Sequence, residues 1–249
     1  MAGEQGVLAE RQAGVDEPGW GWRDVLAVLV LMIVGGAMLL LAARAVVAGF
    51  GLDVERRLVS PVFYLVGLGI YLVAIAGVYH FAARRAGWAA LGLRPAGWLA
   101  FALVPPLFIV GLIGLALVNS VVGLLAGGFE NPQVGALTGG RALSPGELIA
   151  LLLLVAGVVP FAEELFFRGM LYPLIRARTG AVAAVVLNAA LFSLAHVIPQ
   201  LLPGLFVVGL CLAYLRERSG SIWPSVCYHA IQNALALLLI NATLGAGAL

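Results

Sequence analysis

Residues 158–168, VVPFAEELFFR, place two adjacent carboxylates and an arginine inside an otherwise apolar stretch. A charge at the centre of a membrane-spanning helix costs about 2.5–3.5 kcal/mol on insertion scales, so each group requires compensation. Glu164 and Arg168 are spaced i,i+4, which predicts that they share a helix face and neutralise each other. Glu163 lies about 100° around the helix, and its own i+4 neighbour, Phe167, carries no charge. Glu163 is therefore left without a local partner, unless all three groups snorkel from a helix end.

A predicted helical hairpin brings His196 to the level of Glu163. Thr179-Gly180 is the predicted turn between two apolar helices, because glycine commonly ends a helix. Gly180 lies 17 residues after Glu163 and 16 residues before His196. Two antiparallel helices would therefore rise about 25 Å from the turn to the carboxylate and about 24 Å to the imidazole. We predict that His196 lies beside Glu163.

His229 and Asn233 form a second polar pair inside an apolar run. They are spaced i,i+4 and share a helix face, as do Phe192 and His196. The distance along the chain from the nearest turn does not settle the depth of His229 relative to Glu163. A proline kink upstream of the carboxylate could bring the two to one level.

Glu163, His196, His229 and Asn233 together suit hydrolysis. A carboxylate in an apolar site can act as a general base on water, and a histidine can orient that water or carry a proton. A second histidine and a carboxamide can donate hydrogen bonds to the oxyanion of a tetrahedral intermediate. The alternative is zinc held by Glu163, His196 and His229, with water as the fourth ligand, although no HExxH pattern is present. Ser193 lies close to His196 in sequence but has no third member for a nucleophilic triad.

The composition indicates a membrane protein with several spans. Of the 249 residues, 63% are hydrophobic and only 10% are charged, against about 25% charged in soluble domains. The net charge of +2 gives no indication of nucleic-acid binding. Two cysteines inside apolar runs form neither a disulfide framework nor a zinc pattern. We expect a polar, disordered tail over residues 1–24 and one helical membrane domain over residues 25–249.

Seven apolar segments are candidates for membrane spans, which need about 20 residues each. We predict an all-α, polytopic transmembrane bundle of about seven or eight spans with an active-site cavity inside the membrane. With seven spans, nine arginines fall on the side of the N-terminus and three or four on the other. This bias predicts a cytoplasmic N-terminus. The seven segments are residues 25–49, 59–83, 99–127, 147–168, 181–199, 203–215 and 222–244.

Three short motifs resemble those of the CAAX-processing and bacteriocin-processing (CPBP) family of intramembrane proteases, which includes the type II CAAX prenyl endopeptidases. EELFFR at residues 163–168 resembles EExxxR, FSLAH at 192–196 resembles FxxxH, and HAIQN at 229–233 resembles HxxxN. Similar flanking sequences extend the resemblance over about residues 145–245. Each motif is weak alone, and their order along the chain makes the set specific.

The resemblance implies an all-helical fold with its site inside the membrane. It implies that Glu163 activates water beside His196, that His229 and Asn233 stabilise the oxyanion, and that Glu164, Arg168 and Phe192 support them. The family has been described both as zinc metalloproteases and as metal-independent glutamate proteases. Because the carboxylate and the three neutral groups already supply a base and oxyanion donors, we favour the second description, with no cofactor and with zinc as the alternative.

We therefore predict an intramembrane endopeptidase of the bacterial inner membrane that cleaves a peptide or a membrane-protein segment near the cytoplasmic leaflet. The bilayer is its environment, and nothing in the sequence indicates whether the substrate is prenylated. Two alternatives remain at this point. One is a membrane binding, sorting or immunity protein that keeps the cavity without proteolysis, and the other is a proton-coupled transporter that uses the same groups as a relay.

Overall fold

The computed structural model of the chain describes residues 18–51, 61–128 and 131–247, and within these ranges every regular element is helical. Most of the predicted polar tail lies outside the described residues. The α-helices are α1 (Trp22–Gly49), α2 (Pro61–Val78), α3 (Trp98–Ala102), α4 (Val104–Ala126), α5 (Pro132–Thr138), α6 (Pro145–Leu153), α7 (Val159–Glu164), α8 (Tyr172–Thr179), α9 (Ala181–Leu194), α10 (Leu202–Ser219) and α11 (Trp223–Ala246). Three π-helical segments, π1 (Tyr79–Ala83), π2 (Leu154–Val158) and π3 (Leu165–Leu171), continue α2, α6 and α7 respectively. A three-residue helical turn, Arg84–Ala86, follows π1.

The predicted all-α, polytopic class is confirmed, with a different distribution of spans. In the described residues, five helical stretches are long and apolar enough to cross a membrane. The predicted segment 181–199 is only a 14-residue helix, α9, because the chain turns at Val197, which has φ +55°, and reaches Pro199. The predicted segment 203–215 lies in α10, whose last turn carries charged residues. The five stretches are Trp22–Gly49, Tyr64–Ala86, Trp98–Leu125, Pro145–Thr179 and Trp223–Ala246.

The stretch that carries the charges, Pro145–Thr179, is one continuous helical path of 35 residues. It begins at Ser144, whose hydroxyl accepts a hydrogen bond from the Glu147 amide in a capping box. It ends at Gly180, whose φ of +86° is accessible to glycine at little cost. The turn predicted at Gly180 is therefore present, and the helical path continues past Arg168, where the predicted segment 147–168 ended.

This helical path is widened on both sides of its two glutamates, by π2 before them and by π3 after them. Pro160 lies in the first turn of α7, directly after π2. A proline has no amide hydrogen and cannot bond the carbonyl of Ala156, so the α-helical pattern is interrupted there. Such π-helical turns leave carbonyl groups open to other donors and often lie at functional sites.

Neighbouring helices enclose this path. Helices α2 and α11 both pack against α7, and α9 packs along α10. The segment between α2 and α3 lies beneath π3, where Leu91 is fully buried. Its backbone is joined to the α10–α11 turn, because the Ile222 amide donates to the Gly92 carbonyl at 3.0 Å and the Ser221 hydroxyl donates to the Arg94 carbonyl at 2.8 Å. The loop and the turn therefore hold π3 from one end of the bundle.

Helices α9 and α10 approach each other closely at Gly209. A Cβ at this position would lie 3.0 Å from the Ala189 Cα and 3.1 Å from its carbonyl oxygen. The neighbour is backbone and cannot rotate away. The Gly209 carbonyl also accepts a hydrogen bond from Arg168 Nη2 at 3.2 Å. Glycine is therefore required both for the close approach of the helices and for the position of this acceptor.

We expect Gly209→Ala to lower the free energy of unfolding by about 1–3 kcal/mol, because the added methyl group overpacks a rigid contact. The measurement is reversible unfolding in detergent micelles. Gly123→Ala is the matched control, since a Cβ at Gly123, in α4, would meet nothing within 4 Å. Equal stabilities for the two variants would contradict the packing argument.

Candidate active site

Glu164 and Arg168 form the predicted ion pair, fully removed from the surface. Arg168 Nη1 lies 2.8 Å from Glu164 Oε1, and both side chains are 0% exposed. The guanidinium carbon also lies 4.4 Å from the centroid of the Phe192 ring, which is a cation–π distance. The pair is thus held by the helix spacing, by the Gly209 carbonyl and by an aromatic face.

Glu164 has a second partner, His229 of α11. His229 Nδ1 lies 3.0 Å from Glu164 Oε1, the same oxygen that accepts from Arg168. An ionised carboxylate can only accept hydrogen bonds, so Nδ1 is the donor in this contact. In the neutral imidazole, Nε2 then carries the lone pair. In the protonated imidazolium, Nε2 is a donor as well.

Glu163 lies on the other side of His229. Its Oε2 is 3.9 Å from His229 Nε2 and is buried, with no hydrogen-bond partner among the described residues. Its Oε1 accepts a hydrogen bond of 2.9 Å from the hydroxyl of Tyr71, in α2. The side chain as a whole is 14% exposed. Both glutamates keep one buried oxygen without a partner, and they differ in that Glu164 is paired with the Arg168 guanidinium whereas Glu163 has no cation bound to it among the described residues.

His196 does not meet Glu163 as the hairpin argument predicted. It lies just past the end of α9, where its Nδ1 is 2.9 Å from the carbonyl oxygen of Phe192, and neither ring nitrogen contacts a carboxylate of the described residues. The Phe192 ring connects the two histidines, with its centroid 4.9 Å from that of His196 and 5.7 Å from that of His229. His229 occupies the place opposite the carboxylate that was predicted for His196.

The carboxamide of Asn233 donates a hydrogen bond to the backbone. Its Nδ2 donates to the Val155 carbonyl in π2 at 3.0 Å, and it forms no hydrogen bond with His229. Asn188 of α9, which the sequence reasoning missed, plays the same part in π3, where its Nδ2 donates to the Phe167 carbonyl at 2.9 Å. Asn188 is fully buried. The feature of the sequence that could have indicated its role is an amide side chain inside an apolar run.

Two further side chains fasten π3. Arg216 Nε donates to the Arg168 carbonyl at 3.0 Å, and Trp20 Nε1 donates to the Met170 carbonyl at 2.9 Å. Donors from distant parts of the chain therefore bind carbonyl groups of both π-helical segments. Because these segments flank Glu163 and Glu164, the bonds fix the direction in which the two carboxylates project.

Residues 145–235 match the family model described as type II CAAX prenyl endopeptidase Rce1-like. This part of the chain is therefore similar to that family. The resemblance predicted from the three motifs is confirmed, and the matched residues contain all three. No curated protein and no solved structure matches the chain.

The match is to a family of membrane endopeptidases, and the five long apolar stretches of the described residues fit an integral membrane protein. Tyr71 and Trp20, which contact the site, lie outside the matched residues. The N-terminal helices thus complete a site whose motifs all come from the C-terminal part.

A zinc site of three protein ligands is not assembled in the described part of the chain, where no group of three His, Cys, Asp or Glu side chains is arranged to hold a metal ion. Glu163 and His229 face each other, but His196 turns its Nδ1 to a backbone carbonyl. The residues as placed do not fit the zinc set. Ser193 donates to the Leu202 carbonyl at 2.5 Å and is held away from the carboxylates.

A cavity of about 270 Å³ lies elsewhere in the bundle and touches none of the predicted site residues. Three of its lining side chains are amides, and the cavity adjoins the start of α10. Its lining residues are Asn119, Val122, Gly123, Asn131, Gln200 and Leu201.

Proposed function

We propose that the protein is an intramembrane endopeptidase of the glutamate type, in which Glu163 activates the attacking water. The observation that carries the proposal is the asymmetry of the adjacent carboxylates. Each carboxylate has one buried oxygen without a hydrogen-bond partner among the described residues. Glu164 Oε1 binds the Arg168 guanidinium and His229, whereas Glu163 has no cation bound to it, accepts only the neutral Tyr71 hydroxyl, and turns its open Oε2 towards His229 Nε2 at 3.9 Å. A buried carboxylate oxygen with a free lone pair beside an imidazole is suited to take a proton from water.

In the proposed reaction, Glu163 removes one proton from water while the water oxygen forms a bond to the carbonyl carbon of the peptide. The carbonyl oxygen becomes an oxyanion. When the C–N bond breaks, the proton held by Glu163 passes to the leaving nitrogen, and the carboxylate is regenerated. The water oxygen ends in the new carboxyl group, so the carboxylate returns to its starting state after each turnover.

Donors for the oxyanion come from the remaining motif residues. In its protonated form, His229 donates from Nε2, since Nδ1 is committed to Glu164. Asn233 keeps one amide hydrogen free while the other bonds the Val155 carbonyl. His196 is proposed to orient the water. Arg168, Glu164 and Phe192 hold His229 and the carboxylate helix in place.

The proposed cleavage depth is near the cytoplasmic leaflet of a bacterial inner membrane. His229 lies six residues after Trp223, where α11 begins, which is a rise of about 9 Å. Arg216 and Arg218 lie in the last turn of α10, just before that point. Arginines concentrate on the cytoplasmic side of membrane proteins, and a C-terminal reporter fusion tests the orientation.

The proposed function is tested by comparing protein termini in membranes of cells that carry either the wild type or Glu163→Gln. We expect a set of new termini that depends on Glu163. Internally quenched peptides across those cut sites should then be cleaved by the purified protein. A farnesylated peptide that ends in Cys-aliphatic-aliphatic-X, with its unprenylated twin, determines whether a prenyl group is recognised. Identical termini in both membranes would overturn proteolysis in favour of a binding role.

The proposed mechanism also predicts that cleavage requires no metal ion. We expect the purified protein to retain its cleavage rate after treatment with 1,10-phenanthroline and dialysis, because the base and the oxyanion donors are side chains of the chain itself. Rates on an internally quenched peptide are compared before and after treatment. Loss of activity that added zinc restores would favour the metalloprotease alternative with Glu163, His196 and His229.

A further inference from the structure

We propose that Tyr71 is a positioning residue of the site, which orients Glu163 through its hydroxyl. The inference rests on the proposed function of Glu163 as a general base. Tyr71 lies in α2, 92 residues before the carboxylate, and outside the residues that match the family. This role of Tyr71 would make the N-terminal half of the chain part of the proposed active site.

The two oxygens of the Glu163 carboxylate have different surroundings. Oε1 accepts the Tyr71 hydroxyl at 2.9 Å, and Oε2 is buried without a partner and faces His229 Nε2 at 3.9 Å. The last torsion of a glutamate side chain has only broad preferences, so the carboxylate is not oriented by its own rotamer. A bond to one oxygen fixes the plane of the group and therefore the direction of the other oxygen.

No other described group does this for Glu163. On its own helical path, the neighbouring ionisable side chains, Glu164 and Arg168, are paired with each other. From α11, His229 approaches the second oxygen at a distance longer than a hydrogen bond. From α2, Tyr71 is the donor, and in the described residues it forms the one hydrogen bond made to this carboxylate side chain.

Tyr64 provides a matched control on the same helix. It lies seven residues before Tyr71, close to the same helix face, and its hydroxyl also donates a hydrogen bond of 2.9 Å. Its acceptor is the Leu137 carbonyl in α5, away from the glutamates. Removing either hydroxyl deletes one hydrogen bond from α2, and only one of the two bonds reaches the site.

The test compares Tyr71→Phe with Tyr64→Phe on an internally quenched peptide that spans a cut site mapped in membranes. A hydrogen bond donated to a charged carboxylate favours that charged form, which is the active base. Without it, we expect the acidic limb of the pH–rate profile to move to higher pH by roughly one unit, and kcat on the plateau to fall roughly tenfold. Tyr64→Phe should keep the wild-type profile.

A second measurement needs no substrate. The infrared difference spectrum between the wild type and Glu163→Gln contains the carboxylate bands of Glu163. When the same difference is taken between Tyr71→Phe and Tyr71→Phe/Glu163→Gln, we expect these bands at shifted frequencies. If Tyr71→Phe does not fold, 3-fluorotyrosine at position 71 keeps the ring and strengthens the donor, and should move the acidic limb to lower pH.

The outcomes separate this inference from the proposed function. An unchanged pH–rate profile and unchanged carboxylate bands in Tyr71→Phe would overturn the role of Tyr71, provided that Glu163→Gln is inactive. An active Glu163→Gln would instead overturn the proposed function, whatever Tyr71 does. A Tyr64→Phe variant with the same shift as Tyr71→Phe would show a general effect of α2 and would also overturn the inference.

Discussion

Glu163→Gln should lower kcat/KM by about 10²–10⁴-fold while leaving the protein folded, because the amide is close in size to the carboxylate but cannot take a proton from water. The amide oxygen can still accept the Tyr71 hydroxyl, so the contact with α2 is kept. The buried ion pair of Glu164 with Arg168 is unaffected as well. The expected loss is therefore chemical rather than structural, and initial rates with an internally quenched peptide measure it.

The matched control is Glu147→Gln, which removes a carboxylate from the same continuous helical path. Glu147 lies at the start of α6, where it bonds Ser144 and Arg141 and is far along the chain from the motifs. Its replacement should leave kcat/KM unchanged. Glu163→Asp is the intermediate case, because it keeps the base and moves it back by one methylene, about 1 Å, a displacement that can cost roughly 10²-fold. A Glu163→Gln variant with the wild-type rate would contradict the proposed mechanism.

The local parts of the site could be predicted from the sequence because helix geometry determines them. The i,i+4 spacing of Glu164 and Arg168 places their side chains together in any helix, whatever surrounds it. The turn at Gly180 followed from the freedom of glycine to adopt a positive φ, and the structure has φ +86° there. These inferences needed no knowledge of how the helices pack.

The partner of Glu163 could not be predicted in the same way. Counting residues from Gly180 assumes straight α-helices with a rise of about 1.5 Å for each residue. π3 lies between Glu163 and Gly180, and its seven residues are wound more widely than an α-helix. On the other arm, α9 ends at Leu194, so His196 lies in the turn beyond it. Both departures change the rise that the count assumes, and the histidine that contacts the carboxylate, at 3.9 Å, is His229.

The contact between α2 and Glu163 could not be predicted from the sequence. Tyr71 is one tyrosine in an apolar helix, and tyrosines are common there because the ring is apolar and the hydroxyl can find a local partner. Its contact with Glu163 bridges 92 residues, and only the packing of α2 against α7 creates it. The seven predicted segments differ from the five long apolar stretches of the described residues for a related reason, since hydropathy does not reveal that a segment such as α9 is only 14 residues long.

Arg168→Met should destabilise the protein by about 3–5 kcal/mol, the largest effect on stability that we expect from a single substitution. Methionine fills similar space, but it leaves the Glu164 carboxylate buried at 0% exposure without its cation. It also removes the donor to the Gly209 carbonyl and the cation above the Phe192 ring. Unfolding by steric trapping in bicelles gives the free-energy difference.

The double variant Glu164→Gln/Arg168→Met separates the loss of stability caused by the unpaired buried charge from the loss caused by the missing packing. Neutralising Glu164 removes the buried charge, so the double variant should be more stable than Arg168→Met alone, and the two substitutions should be strongly non-additive. Arg141→Met is the exposed counterpart, since Arg141 pairs with Glu147 at 2.6 Å and is 59% exposed, and it should change stability little. Additive effects of the two substitutions would mean that Arg168 supports the fold by packing, and that Glu164 is not held as a charged group by this arginine.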